Sequence, residues 1–190
     1  MDDLDSKPII LITGATGYIG RRLTHHLLHQ NRYGVRLFVR NKRKIQTAIA
    51  DSVEIYEGST FEPGTLTPAL KDVDTAYYLI HSMGSDEDYR TLDLKSAENF
   101  RRACVDAGVR RIIYLGGLGN RTSASKHLLS RIETGETLSA EPEKISTIWL
   151  RAGVIVGSGS ASFEIVRNLC HKLPFMLTPR WVRTLSLIHI

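Results

Sequence analysis

Cysteine is scarce in this chain of 190 residues. Cys104 and Cys170 stand far apart, with no histidine or second cysteine at metal-ligand spacing. That excludes a disulfide framework and a cysteine-built metal site. Both fall at apolar positions of helical patterns and are expected as reduced thiols in the core. No run approaches the roughly 20 apolar residues of a membrane-spanning helix. The N-terminus, Met1-Asp-Asp-Leu-Asp-Ser-Lys7, is acidic where a secretory leader is basic and then apolar. Internal repeats and low-complexity tracts are absent too. These absences predict a cytoplasmic protein, and a hydrophobic content of 42% is enough for one well-buried domain.

What the chain has is alternation. Short apolar strands are expected at residues 8–12, 35–39, 53–56, 75–80, 111–115 and 147–150. Helical patterns fall between them at about 17–30, 65–71, 86–107 and 123–138, with a further helix at about 162–172. Asn31 to Gly34 reads as a helix stop, and so does Gly108. On the helix at 86–107, Ser85 or Asp86 is the expected N-cap, and Tyr89, Leu92, Phe100, Cys104 and Ala107 form one stripe. Alternation of this kind predicts an α/β fold with a doubly wound parallel sheet in three α/β/α layers.

Between the first strand and the first helix lies Thr13-Gly14-Ala15-Thr16-Gly17-Tyr18-Ile19-Gly20. A strand that turns tightly into a helix against a pyrophosphate must bring bare backbone close to it, which glycine allows. The helix N-terminus then faces the anion with free N–H groups. With a strand before it and a helix after it, the run reads as a dinucleotide site rather than as a plain turn. The formal charge of +5 is dispersed except at Arg40-Asn41-Lys42-Arg43-Lys44, directly after the second strand. No recognition motif for nucleic acid accompanies that charge, so nucleic acid is not an expected partner. An NAD enzyme of this architecture often places an acidic residue at the second strand's end to bind the ribose hydroxyls. Here Arg40 stands there. A cation meets the extra 2′-phosphate, a charge-assisted contact of roughly 1.5–3 kcal/mol. NADP(H) is therefore favoured over NAD(H), although a solvated basic loop is the simpler alternative for Arg40 to Lys44.

Several later strings carry a resemblance: Ala76-Tyr-Tyr-Leu-Ile-His-Ser-Met-Gly84, Tyr114-Leu-Gly-Gly-Leu-Gly119, Ser125-Lys-His-Leu-Leu-Ser-Arg131 and the stretch from Leu150 to Phe163. With the glycine run, they make residues 8–184 resemble the atypical and extended short-chain dehydrogenase/reductases, a Rossmann-like NAD(P)-binding group. The resemblance implies that Gly14, Ala15, Thr16, Gly17, Tyr18, Ile19 and Gly20 hold the pyrophosphate. It puts Ser59 and Thr60 near the adenine, with Ser59 where the family usually has aspartate. Ile80, His81 and Ser82 fall behind the adenosine ribose and phosphates. The strand end Gly116-Gly117 borders the cofactor, and Ala152 to Val154 border the nicotinamide amide.

That group's familiar enzymes use a Tyr-x-x-x-Lys pair with a serine and an asparagine. Here the pair reads His127 and Arg131, the serine's strand end reads Gly116-Gly117-Leu118, and the asparagine's place is taken by Asp93. Histidine suits general acid/base work at neutral pH. Arginine binds ribose or phosphate but cannot relay protons. A proton-transfer role for His127 thus stands beside a ribose-positioning or structural one. Tyr77, Tyr78 and Tyr114 read as core aromatics with tethered hydroxyls. His25, His26 and His29 read as a polar helix face, and no metal is expected.

Full members of the group continue further to complete a substrate pocket. The last six residues, Leu185-Ser-Leu-Ile-His-Ile190, are what one frame of a sequencing-transposon adapter (CTGTCTCTTATACACATC) encodes. Residues 1–184 are accordingly expected as one NAD(P)-binding domain and 185–190 as a non-native tail, a native strand being the alternative. Two functions fit: an NADPH-dependent oxidoreductase whose substrate the sequence does not name, or a non-catalytic NADP(H)-binding sensor that acts on a protein partner.

Overall fold

The computed structural model describes residues 7–81, 89–153 and 155–172. Six parallel strands form its sheet: β1 (Ile9–Thr13), β2 (Gly34–Val39), β3 (Glu54–Glu57), β4 (Val73–Tyr78), β5 (Arg111–Gly117) and β6 (Ser146–Ala152), in the order β3-β2-β1-β4-β5-β6. The helices are α1 (Tyr18–Gln30), α2 (Thr47–Ala50), α3 (Pro63–Leu70), α4 (Tyr89–Asp106), α5 (Lys126–Leu138) and α6 (Ala161–Lys172). The order reverses between β1 and β4, which opens a crevice at the carboxyl ends of those two strands.

Strand periodicity builds the two cores. Ile10 and Ile12 point with Val35, Leu37 and Val39 toward Leu27 of α1. Leu11 and Phe38 point the other way, with Ala76, Ile112 and Tyr114, toward Leu66 and Leu70 of α3, Phe100 and Cys104 of α4 and Leu138 of α5. A strand buried on both faces reads as a continuous apolar run, as Ile9 to Ile12 does. This is the expected Rossmann-like arrangement.

Element ends follow local chemistry. Asn31, not a glycine, stops α1 by taking φ 51° and returning its N–H to the Leu28 carbonyl at 3.1 Å. The Ser125 hydroxyl accepts the Leu128 N–H at 3.3 Å and so caps α5. Ser160 does the same for α6 through the Phe163 N–H at 3.2 Å.

Three expectations need correction. Leu92 is 43% exposed, and the buried face of α4 instead runs through Asp93, Ser96, Ala97, Phe100 and Cys104. It begins polar because Ser96 meets hydroxyls from the sheet side: its Oγ lies 2.7 Å from both Tyr78 Oη and Thr60 Oγ1. Cys104 is a core thiol but Cys170 is exposed, since α6 leaves Ile165, Val166 and Leu169 exposed as well. Between β2 and β3 the chain forms a 3-10 turn at Lys42–Lys44 and the short α2 where the sequence pattern gave no helix. The proposed caps Ser85 and Asp86, and residues 185–190, lie outside the described residues.

No described helix is long and apolar enough to cross a membrane. His25 bonds Gln46 at 3.1 Å and His26 bonds Gln30 at 2.8 Å, which makes this side of α1 a polar, glutamine-paired face.

Candidate functional site

The crevice is floored by the glycine turn. Gly14 takes φ +68°, and a Cβ there would stand 2.6 Å from the Leu79 carbonyl oxygen, so only glycine lets the turn lie against the chain leaving β4. A Cβ on Gly20 would run into the Gly14 carbonyl oxygen and stand 2.7 Å from Ala15 Cα. The Gly17 N–H closes the turn on the Gly14 carbonyl at 2.9 Å. Thr13 pins it from below, its hydroxyl donating to the Tyr77 carbonyl at 2.9 Å and accepting the Leu79 N–H at 3.2 Å. Ala15 is buried, while Thr16 and Gly17 remain accessible at the mouth.

Tyr18 and Ile19 open α1. That helix has no side-chain cap and no acidic residue in its first turn, so its positive end and first N–H groups are left for an outside anion. A cradle that Cβ atoms would fill, at an uncapped helix start, fits a pyrophosphate. Across the mouth, Tyr18 abuts Gly157 and Arg22 donates to the Ser158 carbonyl at 3.1 Å, tying the start of α1 to the segment before α6.

On one side of this turn Arg40 leaves the end of β2. With Thr16, Asn41 and Lys44 it lines a cleft of about 330 Å³. The glycine turn and the basic cluster therefore share one cavity. Lys44 is brought in by the 3-10 turn, which Asn41 starts by accepting the Arg43 N–H at 2.9 Å.

Ser59 and Thr60 follow β3. Ser59 is held by its own loop, its N–H donating to Thr65 Oγ1 at 3.2 Å and its Oγ accepting the Phe61 N–H at 3.3 Å. Thr60 is buried, with its hydroxyl on Ser96 and its carbonyl accepting from Asn99 Nδ2 at 2.9 Å. Its side chain thus belongs to the packing between β3 and α4.

On the other side of the crevice, Ile80 and His81 extend β4 beyond Tyr78; Ser82 lies outside the described residues, as does Val154. The rings of His81 and His127, the latter in the first turn of α5, have centroids 6.1 Å apart. One helical turn further on, Arg131 Nη2 donates to the Leu115 carbonyl at 2.9 Å, while its Nε is buried without a hydrogen-bond partner. A Cβ on Gly117 would lie 2.5 Å from Leu128 Cδ1 and 3.6 Å from Arg131 Nε. Gly117 is in register with Ala152 of β6, whose carbonyl accepts the Leu118 N–H at 2.8 Å. Gly116 gives its space to the Trp149 ring instead. His81, Gly117, His127 and Arg131 thus form one corner, and Asp93 lies buried behind it, accepting from Ser130 Oγ at 3.1 Å.

Electrostatics sort these groups. Dehydration of the ring, then the Arg131 guanidinium and His127, hold the His81 imidazole below the usual histidine value, with Asp93 opposing. Tyr114 is pushed up to about 12, mainly by burial, and its hydroxyl donates to the Arg131 carbonyl at 2.9 Å. Burial also raises Tyr78. Both phenols are tethered and protonated at neutral pH, as their strand positions suggested. The His81–His127 pairing had no signal in the sequence, because 45 intervening residues hide it until β4 and α5 meet.

A doubly wound parallel sheet with a glycine cradle at its central strand defines a dinucleotide-binding protein. The family described as NAD(P)H-binding matches residues 14–143, and the chain belongs to it. The resemblance to the atypical short-chain dehydrogenase/reductases is borne out with it. No curated protein matches the sequence. Among solved structures, the chain is similar to Citrobacter sp. triphenylmethane reductase, with 27% identity and a TM-score of 0.65 over 77% of this chain and 50% of that one. It is similar to Pen from Bacillus thuringiensis at 14% identity, with a TM-score of 0.73 over 89% of this chain and 57% of that one. A Rossmann-fold NAD(P)-binding family protein from Shigella flexneri matches at 21% identity, with a TM-score of 0.66 over 82% and 72%. The chain spans only 50–57% of the length of the first three solved structures it matches.

Proposed function

We propose that this chain is the cofactor-binding part of an NADPH-dependent oxidoreductase working in the cytosol, a compartment its free thiols suit. The observation that carries the reading is the cleft in which Thr16 of the glycine turn meets Arg40 and Lys44. A 2′-phosphate carries close to two negative charges at neutral pH, and two cations beside the pyrophosphate cradle answer it. Triphenylmethane reductase from Citrobacter, 25% identical over 85% of this chain in its NADP(H) complex, supports the same choice. A short-chain dehydrogenase/reductase from Agrobacterium tumefaciens with bound NAD shows that the fold admits both cofactors.

In this reading the backbone from Gly14 to Gly20 receives the pyrophosphate. Arg40 and Lys44 hold the 2′-phosphate, and Ser59 and Thr60 border the adenine by position. Ile80 and His81 stand behind the ribose. Gly117 and Ala152 frame the nicotinamide end. Bound there, the reduced nicotinamide supplies hydride. His127 is the candidate proton donor, and Arg131 orients ribose or substrate without exchanging its proton.

Titration of the chain with NADPH and with NADH, beside Arg40→Asp, tests the reading. The expected result is tighter NADPH binding that the variant weakens at least about tenfold, since it replaces a charge-assisted contact with repulsion. NADH binding as tight as NADPH would overturn the cofactor choice.

The replaced tetrad favours a second reading, a sensor that binds NADP(H) and passes its redox state to a protein partner. Tight binding with no cofactor oxidation across carbonyl and quinone acceptors is its signature. In the oxidoreductase reading, His127→Ala slows turnover about 10²-fold or more and leaves NADPH affinity nearly unchanged.

A further inference from the structure

We propose that the outer face of α1, together with the Lys42–Lys44 turn, is a membrane-contact surface that holds the protein against a bilayer rich in anionic lipid.

Between Asp5 and Asp51 lie nine lysines and arginines and no acidic residue, whereas the rest of the chain, with 16 basic and 20 acidic side chains, is net negative. The fold turns most of these cations to one side. Arg21, Arg22, His25, His26 and His29 fall within about 140° of arc on α1, and all five are exposed. Arg32 follows the helix. The 3.1 Å bond from His25 to Gln46 ties the exposed Lys42 and Arg43 to the same side. Elsewhere arginines meet carboxylates, as Arg90, Arg101, Arg102, Arg110 and Arg121 do. On this face Arg21, Arg32, Lys42 and Arg43 pair with no carboxylate among the described residues. Glu57 reaches the turn, but it accepts the Lys42 backbone N–H at 2.9 Å. Arg40 and Lys44, assigned above to the cofactor, are not needed for this surface.

The make-up of the face selects the partner. No large apolar side chain between Lys7 and Thr60 is exposed, so the face lacks the apolar and aromatic anchors on which a protein interface centres. It equally lacks an exposed aromatic ring on which a base could stack. An anionic bilayer requires neither. Its headgroups rearrange under a convex helix, and the negative potential of the cytoplasmic leaflet draws each cation that comes within a Debye length.

The test mixes the full chain with vesicles of phosphatidylcholine, alone or with about one-third phosphatidylserine, and reads the bound fraction by co-sedimentation. Binding is expected on the anionic vesicles only and is expected to fall as salt rises. Arg21→Gln with Arg43→Gln is expected to lower the partition coefficient about 25-fold, since each cation at the surface contributes a factor of about five. Lys95→Gln with Lys172→Gln removes the same charge from α4 and α6 and is expected to change it less than about twofold. In the unaltered chain, anionic vesicles are expected to shield Lys42 from acetylation by acetic anhydride while Lys95 and Lys172 stay reactive, a readout that needs no variant to fold. Equal binding to neutral vesicles, equal losses in the two double variants, or equal labelling of Lys42 with and without vesicles would overturn the surface. Duplex DNA or polyglutamate that strips the protein from the vesicles at a lower concentration of anionic groups than the phosphatidylserine present would overturn the choice of lipid as the partner.

Discussion

At the scale of single residues, the glycines of the first turn are constrained by distance as much as by torsion. Gly14→Ala must place a Cβ 2.6 Å from the Leu79 carbonyl while keeping φ near +68°, a backbone state that costs an L-residue about 1–3 kcal/mol. Thermal unfolding should show a loss of that size together with lost NADPH binding, and a variant of unchanged stability would mean the turn is looser than described. His81 gives a pH prediction. Its folded value is depressed from 6.5, so the native state prefers the neutral ring, and the stability this contributes is fully present above pH 6.5 and is lost as pH falls through the depressed value. His81 should therefore titrate below 6.5 in an NMR pH series; titration above that value would contradict the placement beside Arg131.

At the scale of elements, the pairing of α4 with α5 is largely polar. Buried Glu133 accepts from Arg90 Nε at 2.6 Å and lies 3.4 Å from Arg121 Nη2, while both arginines are more than half exposed. Removing the buried partner leaves two solvated cations, whereas removing one arginine leaves a carboxylate the other still serves. Glu133→Gln should accordingly lower stability by about 1–3 kcal/mol as measured by urea unfolding, and Arg121→Ala by clearly less, because Arg121 is solvent-exposed and pairs mainly with Glu136 at 2.7 Å. Equal losses would show that the pair does not share one acceptor. The same helices explain where sequence reading stopped. The 3.6-residue period locates α4, but its phase follows from what the buried face meets. Because Ser96 meets Tyr78 and Thr60, a polar stripe turned inward and Leu92 turned out. Thr60, placed near the adenine by resemblance, spends its hydroxyl in that same contact.

At the scale of the whole molecule, the strand and helix order and the glycine turn were legible because each rests on local pattern: apolar runs of strand length, a helix stop at Asn31, and glycines between strand and helix. The gathering of Thr16 with Lys44, and of His81 with His127, rests on chain crossings that no local pattern encodes. Exposure is also uneven across the molecule. Leu150 of edge strand β6 is 50% exposed whereas Leu37 of β2 is fully buried. Leu37→Ala should cost about 2–5 kcal/mol and Leu150→Thr about 1 kcal/mol or less.

Thr16, Arg40 and Lys44 line one cavity, which we propose holds the 2′-phosphate of NADP(H). Phosphorus NMR of NADP⁺ added to the chain tests this directly, because the 2′-phosphate monoester titrates near pH 6 when free and two adjacent cations favour its dianion. The account predicts that this resonance shifts on binding, that its pKa falls, and that Arg40→Asp abolishes both changes. A bound cofactor whose pyrophosphate signals broaden while the 2′-phosphate titrates as it does in free solution would contradict the account.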